Sequence, residues 1–326
     1  MLAALAATAG AQNLTGAGAT FPNPIYSRWF IEYSNSHPGV KINYQSVGSG
    51  AGIRQVTSKI VDFGASDVTM TDQQIAESKI KLVAIPTVLG AVVPVYNIPG
   101  VNKDLNFSGD VIADIYLGKI TKWSDPRIVK DNPGVSLPNH PILPVYRSDG
   151  SGTNYIFTDY LSKVSPDFKA KIGSATSVQW PGGVGQKGNE GVAGMIRNSP
   201  FSFGYVELIY AESNKMLFGV VKNASGNWIK ASTDSVSAAA AGAAKAMPAD
   251  YRVSITNAAG PNAYPISSFT WLLIPDPSKD SAKGKVLHDF LQWMLDHGED
   301  EASSMTYAPL PPAVAKMVRK TIASVH

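Results

Sequence analysis

The sequence predicts an α/β protein of two domains, and three observations carry that reading. Short apolar runs are repeatedly followed by a Gly-rich turn and then by a stretch with helical apolar spacing. At 326 residues, 44% hydrophobic and 16% charged, the chain has the length and composition for two globular cores. An apolar block at Leu82–Asn97 and a second at Tyr264–Ile274 read as buried strands that carry the chain from one domain to the other and back.

Composition removes several function classes. Net charge is only +3, from 28 basic and 25 acidic residues, and no basic run of five or more occurs, which argues against a nucleic-acid partner. There are no cysteines, so disulfides, thiolate metal sites and a cysteine nucleophile are excluded. Twenty-nine glycines and 22 prolines provide the turns that alternating strands and helices need.

In chain order, Met1–Ala11 is a run of small apolar residues ending in an Ala-x-Ala-like site, similar to the back end of a secretory signal. Residues 1–12 are therefore read as a signal-like segment and the protein as exported. Leu14–Pro22 reads as a strand running into a Gly-rich turn. A helix over Pro24–Tyr33 follows, with Ile25, Trp29, Phe30 and Tyr33 on one face. Val40–Gln45 alternates as a strand does. It leads through Val47-Gly-Ser-Gly-Ala-Gly52 into a helix ending near Lys59. Val61–Asp67 is a short strand ending in an acid, and Asp67 is also a candidate cap for the turn before Thr71. After Leu82–Asn97 a helical pattern covers Ser108–Leu117. Gly118-Lys119 lacks the flanking residues of a phosphate-binding loop.

Ile142–Val145 is a strand, Tyr146–Asn154 a Gly/Ser turn containing Arg147, and Tyr155–Leu161 a helix. Trp180–Gly191 reads as a surface loop. Phe203–Val206 is a strand, and Ala238–Ala246 is helical. Helices at Lys283–His297 and Ala313–Ala323 close the chain. The first of them has an apolar face of Val286, Leu287, Phe290, Leu291, Met294 and Leu295.

The strand, Gly turn, helix device thus occurs around Thr20, around Ser49 and around Ser151. Helix starts have unpaired N–H groups, and glycines let a ligand come close to them. With hydroxyls and one arginine beside them they suit an oxyanion. Any one of these turns is equally an ordinary helix cap; the repetition is what points to a site.

Four separated motifs, Thr15-Gly-Ala-Gly-Ala-Thr-Phe-Pro22, Val61-Asp-Phe-Gly-Ala-Ser-Asp67, Asp114-Ile-Tyr-Leu-Gly-Lys-Ile120 and Asp149-Gly-Ser-Gly-Thr153, resemble the periplasmic phosphate-binding proteins of phosphate ABC importers. Gly204–Glu207 and Tyr264–Ile266 fit the same pattern, and the likeness runs from about Asn13 to the C-terminus. The resemblance implies a type II periplasmic-binding-protein fold, with two mostly parallel α/β lobes joined by a two-crossing hinge. Lobe one would comprise 13–88 and 258–326, and lobe two 89–257. It implies ligand contacts from Thr20, Phe21, Ser49 and Asp67 on one side, and from Arg147, Ser151, Gly152 and Thr153 on the other. Asp149 would orient Arg147. Gly50 stands where relatives often carry a second serine.

The implied partners are inorganic phosphate and the membrane permease subunits of an ABC importer. The protein would act as a periplasmic monomer with no cofactor and no catalysis. Asp67 would accept a hydrogen bond from protonated phosphate and repel sulfate, which has no proton to give. The rival readings are a receptor for another tetrahedral oxyanion, a phosphatase or serine hydrolase using Ser49 or Ser151, and an adhesion protein that keeps the fold. Neither serine lies in a Gly-x-Ser-x-Gly turn, and His37, His140, His288, His297 and His326 lie outside the Gly-rich turns.

Overall fold

In the computed structural model, which describes residues 12–325, the chain forms eleven strands. They are β1 (Gln12–Gly18), β2 (Val40–Ser46), β3 (Phe63–Ser66), β4 (Leu82–Asn97), β5 (Asn106–Phe107), β6 (Leu143–Arg147), β7 (Val184–Gln186), β8 (Ser202–Glu207), β9 (Val220–Lys222), β10 (Trp228–Ile229) and β11 (Ser267–Pro275). Eight of them make one sheet in the order β2-β1-β3-β11-β4-β8-β6-β7, and β10-β9-β5 make a small second sheet. The signal-like Met1–Ala11 lies outside the described residues, whereas Gln12 already pairs with Val40.

Strand β1 pairs in parallel with β2 and with β3. A helix returns the chain between each pair, so every strand restarts in the same direction. The first return helix, Asn23–Ser36, contains the expected span and has Pro24 in its first turn. It buries Ile25, Tyr26, Trp29, Phe30 and Tyr33. Each such side chain contributes about 1.5–3 kcal/mol by leaving water. Helix Ser281–Trp293 packs Phe290 against Phe30 and Tyr33, with ring centroids 5.2 and 5.3 Å apart.

The apolar block forms a single strand of 16 residues, β4, despite its two prolines. Its first part, Leu82–Ala91, runs antiparallel to β11, and Val92–Asn97 runs antiparallel to β8. Pro86 has no N–H to give to a ladder. The register shifts at Thr270/Trp271, where Thr87 is the extra residue between Pro86 and Val88. This bulge turns Thr87 toward Tyr26, whose hydroxyl is 2.7 Å away. At the change of partner, Val92 N–H donates to Ile266 O at 2.8 Å, and Tyr264 OH donates to Val92 O at 3.0 Å. The outgoing and returning chains therefore cross between the lobes side by side.

In the second lobe β6 pairs in parallel with β7 and β8. Parallel pairing thus holds among the outer strands on each side, while the crossing strands run antiparallel to their neighbours. The cause is topological: a strand that leaves one lobe and one that comes back must point opposite ways. The small sheet is absent from the sequence reading, because strands of two or three residues leave no periodic signal. No described helix is long and apolar enough to cross a membrane.

Candidate functional site

Four turns at the carboxyl ends of β1, β2, β3 and β6 converge where the lobes meet. Thr20, Phe21, Ser49, Asp67, Arg147, Ser151 and Thr153 are all buried, at 3% exposure or less. Gly152 is buried among them.

The turn after β2 and the turn after β6 face each other. Gly50 N–H donates to Gly150 O at 2.9 Å, and Gly152 N–H donates to Ser49 Oγ at 3.1 Å. Gly48 has φ +92°, and a Cβ there would lie 2.5 Å from Asp149 Oδ2. At Gly152 a Cβ would lie 2.5 Å from both Asp67 Oδ2 and Ser49 Oγ. These two positions need glycine because the opposing turn leaves no room for a side chain.

Ser49 does not cap its own helix. Its Oγ accepts the N–H of Asp67 and of Gly152, each at 3.1 Å. Ser151 is an ordinary N-cap, accepting Asn154 N–H at 3.0 Å, at the start of helix Gly152–Val164. Phe21 lies beside Thr20, and its carbonyl accepts Tyr307 OH at 2.6 Å.

Arg147 ends β6 with only 1% of its side chain exposed. Asp149 accepts Nε at 2.7 Å and Nη2 at 2.5 Å, a two-pronged pair that leaves Nη1. Nη1 is buried and has no hydrogen-bond partner among the described residues. Burial would raise the Asp149 carboxyl, but the guanidinium and the N–H of Gly188 bring it below the ordinary carboxylate range. Asp67 behaves oppositely: burial pushes it up from 3.8 to about 7. The Thr270 hydroxyl, the charge of Arg147 and the Ser49 hydroxyl offset this only in part. Thr270 Oγ1 donates to Asp67 Oδ1 at 2.7 Å. Thr270 stands on β11 opposite the bulge in β4, at the register shift beside Pro86. The partners of Asp67 are therefore Thr270 and Ser49. The cap of helix Asp72–Glu77 is Thr71.

The sequence reading missed Asn189, which is fully buried. It lies at the end of Trp180–Gly191, whose front is exposed as a surface loop would be, while Gly188 and Asn189 turn inward. Asn189 reaches Thr20 Oγ1 at 2.8 Å and Thr153 Oγ1 at 3.1 Å. Its place one residue after a glycine at a helix start repeats the device of the other turns. That was the signal available. Thr270 carried no comparable signal, because a strand threonine is unremarkable until its neighbour is known.

A cleft of about 620 Å³ reaches Asp67 between Tyr155 and Asp159 of one lobe and Trp271 of the other. The histidines are elsewhere. His37 stacks on Tyr33 and His140 on Phe201, while His288 lies beside Asp289 and His297 beside Trp293. His326 falls outside the described residues. None of the four described histidines hydrogen-bonds to Ser49 or Ser151.

Residues 3–297 match the family model described as a PBP superfamily domain. The chain is 45% identical over 312 residues to the phosphate-binding protein PstS of Xylella fastidiosa (strain Temecula1), covering 95% of this chain and 85% of that one. It is 41% identical over 320 residues to the PstS of Pasteurella multocida (strain Pm70), covering 98% and 92%. The solved phosphate-binding protein from Stenotrophomonas maltophilia has the same fold, with TM-score 0.72, 22% identity and coverage of 95% and 93%. The chain belongs to the PBP superfamily and, within it, to the family of the PstS proteins.

Proposed function

We propose that this protein binds inorganic phosphate between its lobes in the periplasm and hands it to the membrane permease subunits of an ABC-type importer. It does so as a monomer and without turnover. The observation that carries this reading is Arg147 Nη1, a buried cationic donor with no partner among the described residues, at the point where four turns meet. An unpaired buried donor is costly, and an anion removes the cost. The names of the Xylella and Pasteurella relatives, phosphate-binding proteins, support the choice of anion.

In this reading Thr20, Phe21, Ser49 and Asp67 hold the anion from residues 13–88 with 258–326. Arg147, Ser151, Gly152 and Thr153 hold it from residues 89–257, and Asp149 orients Arg147. The lobes move about the paired crossings near Val92 and Ile266. Arg147 supplies charge, yet Asp149 balances it, so the anion is held chiefly by directed donors. Above pH 7 Asp67 is ionised, and an anion that brings its own proton is the one it tolerates. Phosphate does so at neutral pH and sulfate does not.

Calorimetry on ligand-stripped protein tests this. Phosphate should bind tightly, sulfate in large excess should fail to compete, and phosphate esters should be left unhydrolysed. Equal affinity for the two anions would refute the reading.

A further inference from the structure

Asn189 stands behind two hydroxyls of the site, one from each lobe, and the direction of its amide is determined. Its Oδ1 accepts the backbone N–H of Glu207 at 3.0 Å. A backbone N–H only donates, so this bond settles which end of the carboxamide is oxygen. The Nδ2 hydrogens must then point the other way, to Thr20 Oγ1 and Thr153 Oγ1. Thr20 Oγ1 also accepts the backbone N–H of Asn189 at 3.2 Å. A hydroxyl oxygen has two lone pairs, and here both are occupied. The hydroxyl hydrogen of Thr20 can therefore only donate elsewhere.

Ser49 is treated in the same way, with its oxygen taken by the N–H groups of Asp67 and Gly152. There both donors are backbone, while at Thr20 Asn189 supplies one from its backbone and one from its side chain, and at Thr153 it supplies one from its side chain. We propose that Asn189 is a positioning residue: it fixes the Thr20 and Thr153 hydroxyls as donors and so makes the site receptive to an acceptor-rich anion. It also ties the lobes together, because Thr20 and Asn189 come from opposite sides of the crossing. This inference rests on the phosphate-binding reading.

The test compares Asn189→Asp, Asn189→Ala and the unchanged protein by phosphate calorimetry on stripped protein from pH 6 to pH 9. Each variant's affinity is divided by that of the unchanged protein at the same pH. This removes the titration of phosphate, and the ionisable groups around the amide, Glu207 and Glu190 beside it with Asp149, Arg147, Asp67 and Tyr210 in the adjoining turns and helix, are common to all three proteins. Once ionised, the introduced carboxylate accepts both hydroxyl hydrogens and turns the donors away from the ligand. The relative affinity of Asn189→Asp should then fall as pH rises, to at least about tenfold below Asn189→Ala. The relative affinity of Asn189→Ala should be lowered by a factor that does not change with pH. Thermal denaturation of each variant verifies that it is folded.

Two variants that lose the same factor at every pH would assign Asn189 a packing role and overturn the proposal. So would an Asn189→Asp protein that binds within about threefold of the unchanged one. Failure of the unchanged protein to bind phosphate refutes the functional reading, and this inference with it, from that titration alone.

Discussion

Each lobe brings one carboxylate to the same place, and the two are treated in opposite ways. Asp149, from the second lobe, takes two guanidinium nitrogens of Arg147 and is held ionised. Asp67, from the first, receives hydroxyls and one distant charge, and its burial raises it to about 7. The pair of turns around them shows the same contrast. Ser151 serves its own helix, whereas Ser49 serves the opposite lobe and the strand beside it. Similar sequence on either side of an interface thus does different physical work. One side carries a balanced charge pair; the other carries an acid that burial raises toward neutral pH.

The largest test of that contrast is Arg147→Ala. It removes the cation and leaves Asp149 buried without its partner. Phosphate affinity should fall by several kcal/mol, on the order of 3–5, as for a buried pair with one member deleted. Near-normal affinity in a folded variant, measured by calorimetry, would mean that the charge is not directed at the ligand.

Next in size is the pH dependence of the ligand-free protein. The native state keeps the Asp67 proton up to about pH 7, while the unfolded chain releases it near 3.8. Stability should therefore fall as pH rises between those values, by a few kcal/mol at about 1.4 per unit. Buried Glu299 acts in the same direction between 4.5 and about 8. Asp149 acts in the opposite one, because its lowered value contributes stability that is lost only as pH drops below the ordinary carboxylate range. Urea titrations from pH 4 to pH 8 should show the decline, with a shallower slope in Asp67→Asn. An unchanged slope would sink the contrast between the two acids.

Selectivity is a finer measure. In Asp67→Asn the amide replaces an acceptor edge with a donor edge, so phosphate should lose its advantage over sulfate by at least roughly tenfold, about 1.4 kcal/mol. In the unchanged protein sulfate should compete better at pH 5 than at pH 8, since protonation removes the repelling charge. A ratio insensitive to both changes would deny Asp67 its proton-reading role.

The smallest effect is expected from Ser151→Ala, which should cost about 1 kcal/mol of stability through the lost cap. Ser49→Ala should cost more, since it leaves the buried N–H groups of Asp67 and Gly152 unpaired at about 1–3 kcal/mol each. Denaturation of both variants side by side would reverse the comparison if Ser151→Ala proved the more damaging.

The strands, turns and helix starts around the proposed site were readable in the chain because local rules write them locally. A glycine where the backbone needs positive φ, a hydroxyl at a helix start and an arginine ending a strand are each visible within a few residues. Asn189 obeyed the same rule and was overlooked because its loop is long and its front half exposed. Thr270 obeyed no local rule. Its position depends on a bulge beside Pro86 on a different strand.

By itself, then, the sequence determined the alternation of strands and helices, the two crossings and the turns rich in donors. All of these follow from apolar period and backbone freedom over short windows. Tertiary structure alone decided that the apolar block is one strand serving both lobes, and that Ser49 accepts from Gly152 while Ser151 caps its own helix. Those outcomes depend on which groups are left unpaired once water is excluded, and that is a property of the assembled interface, not of any segment.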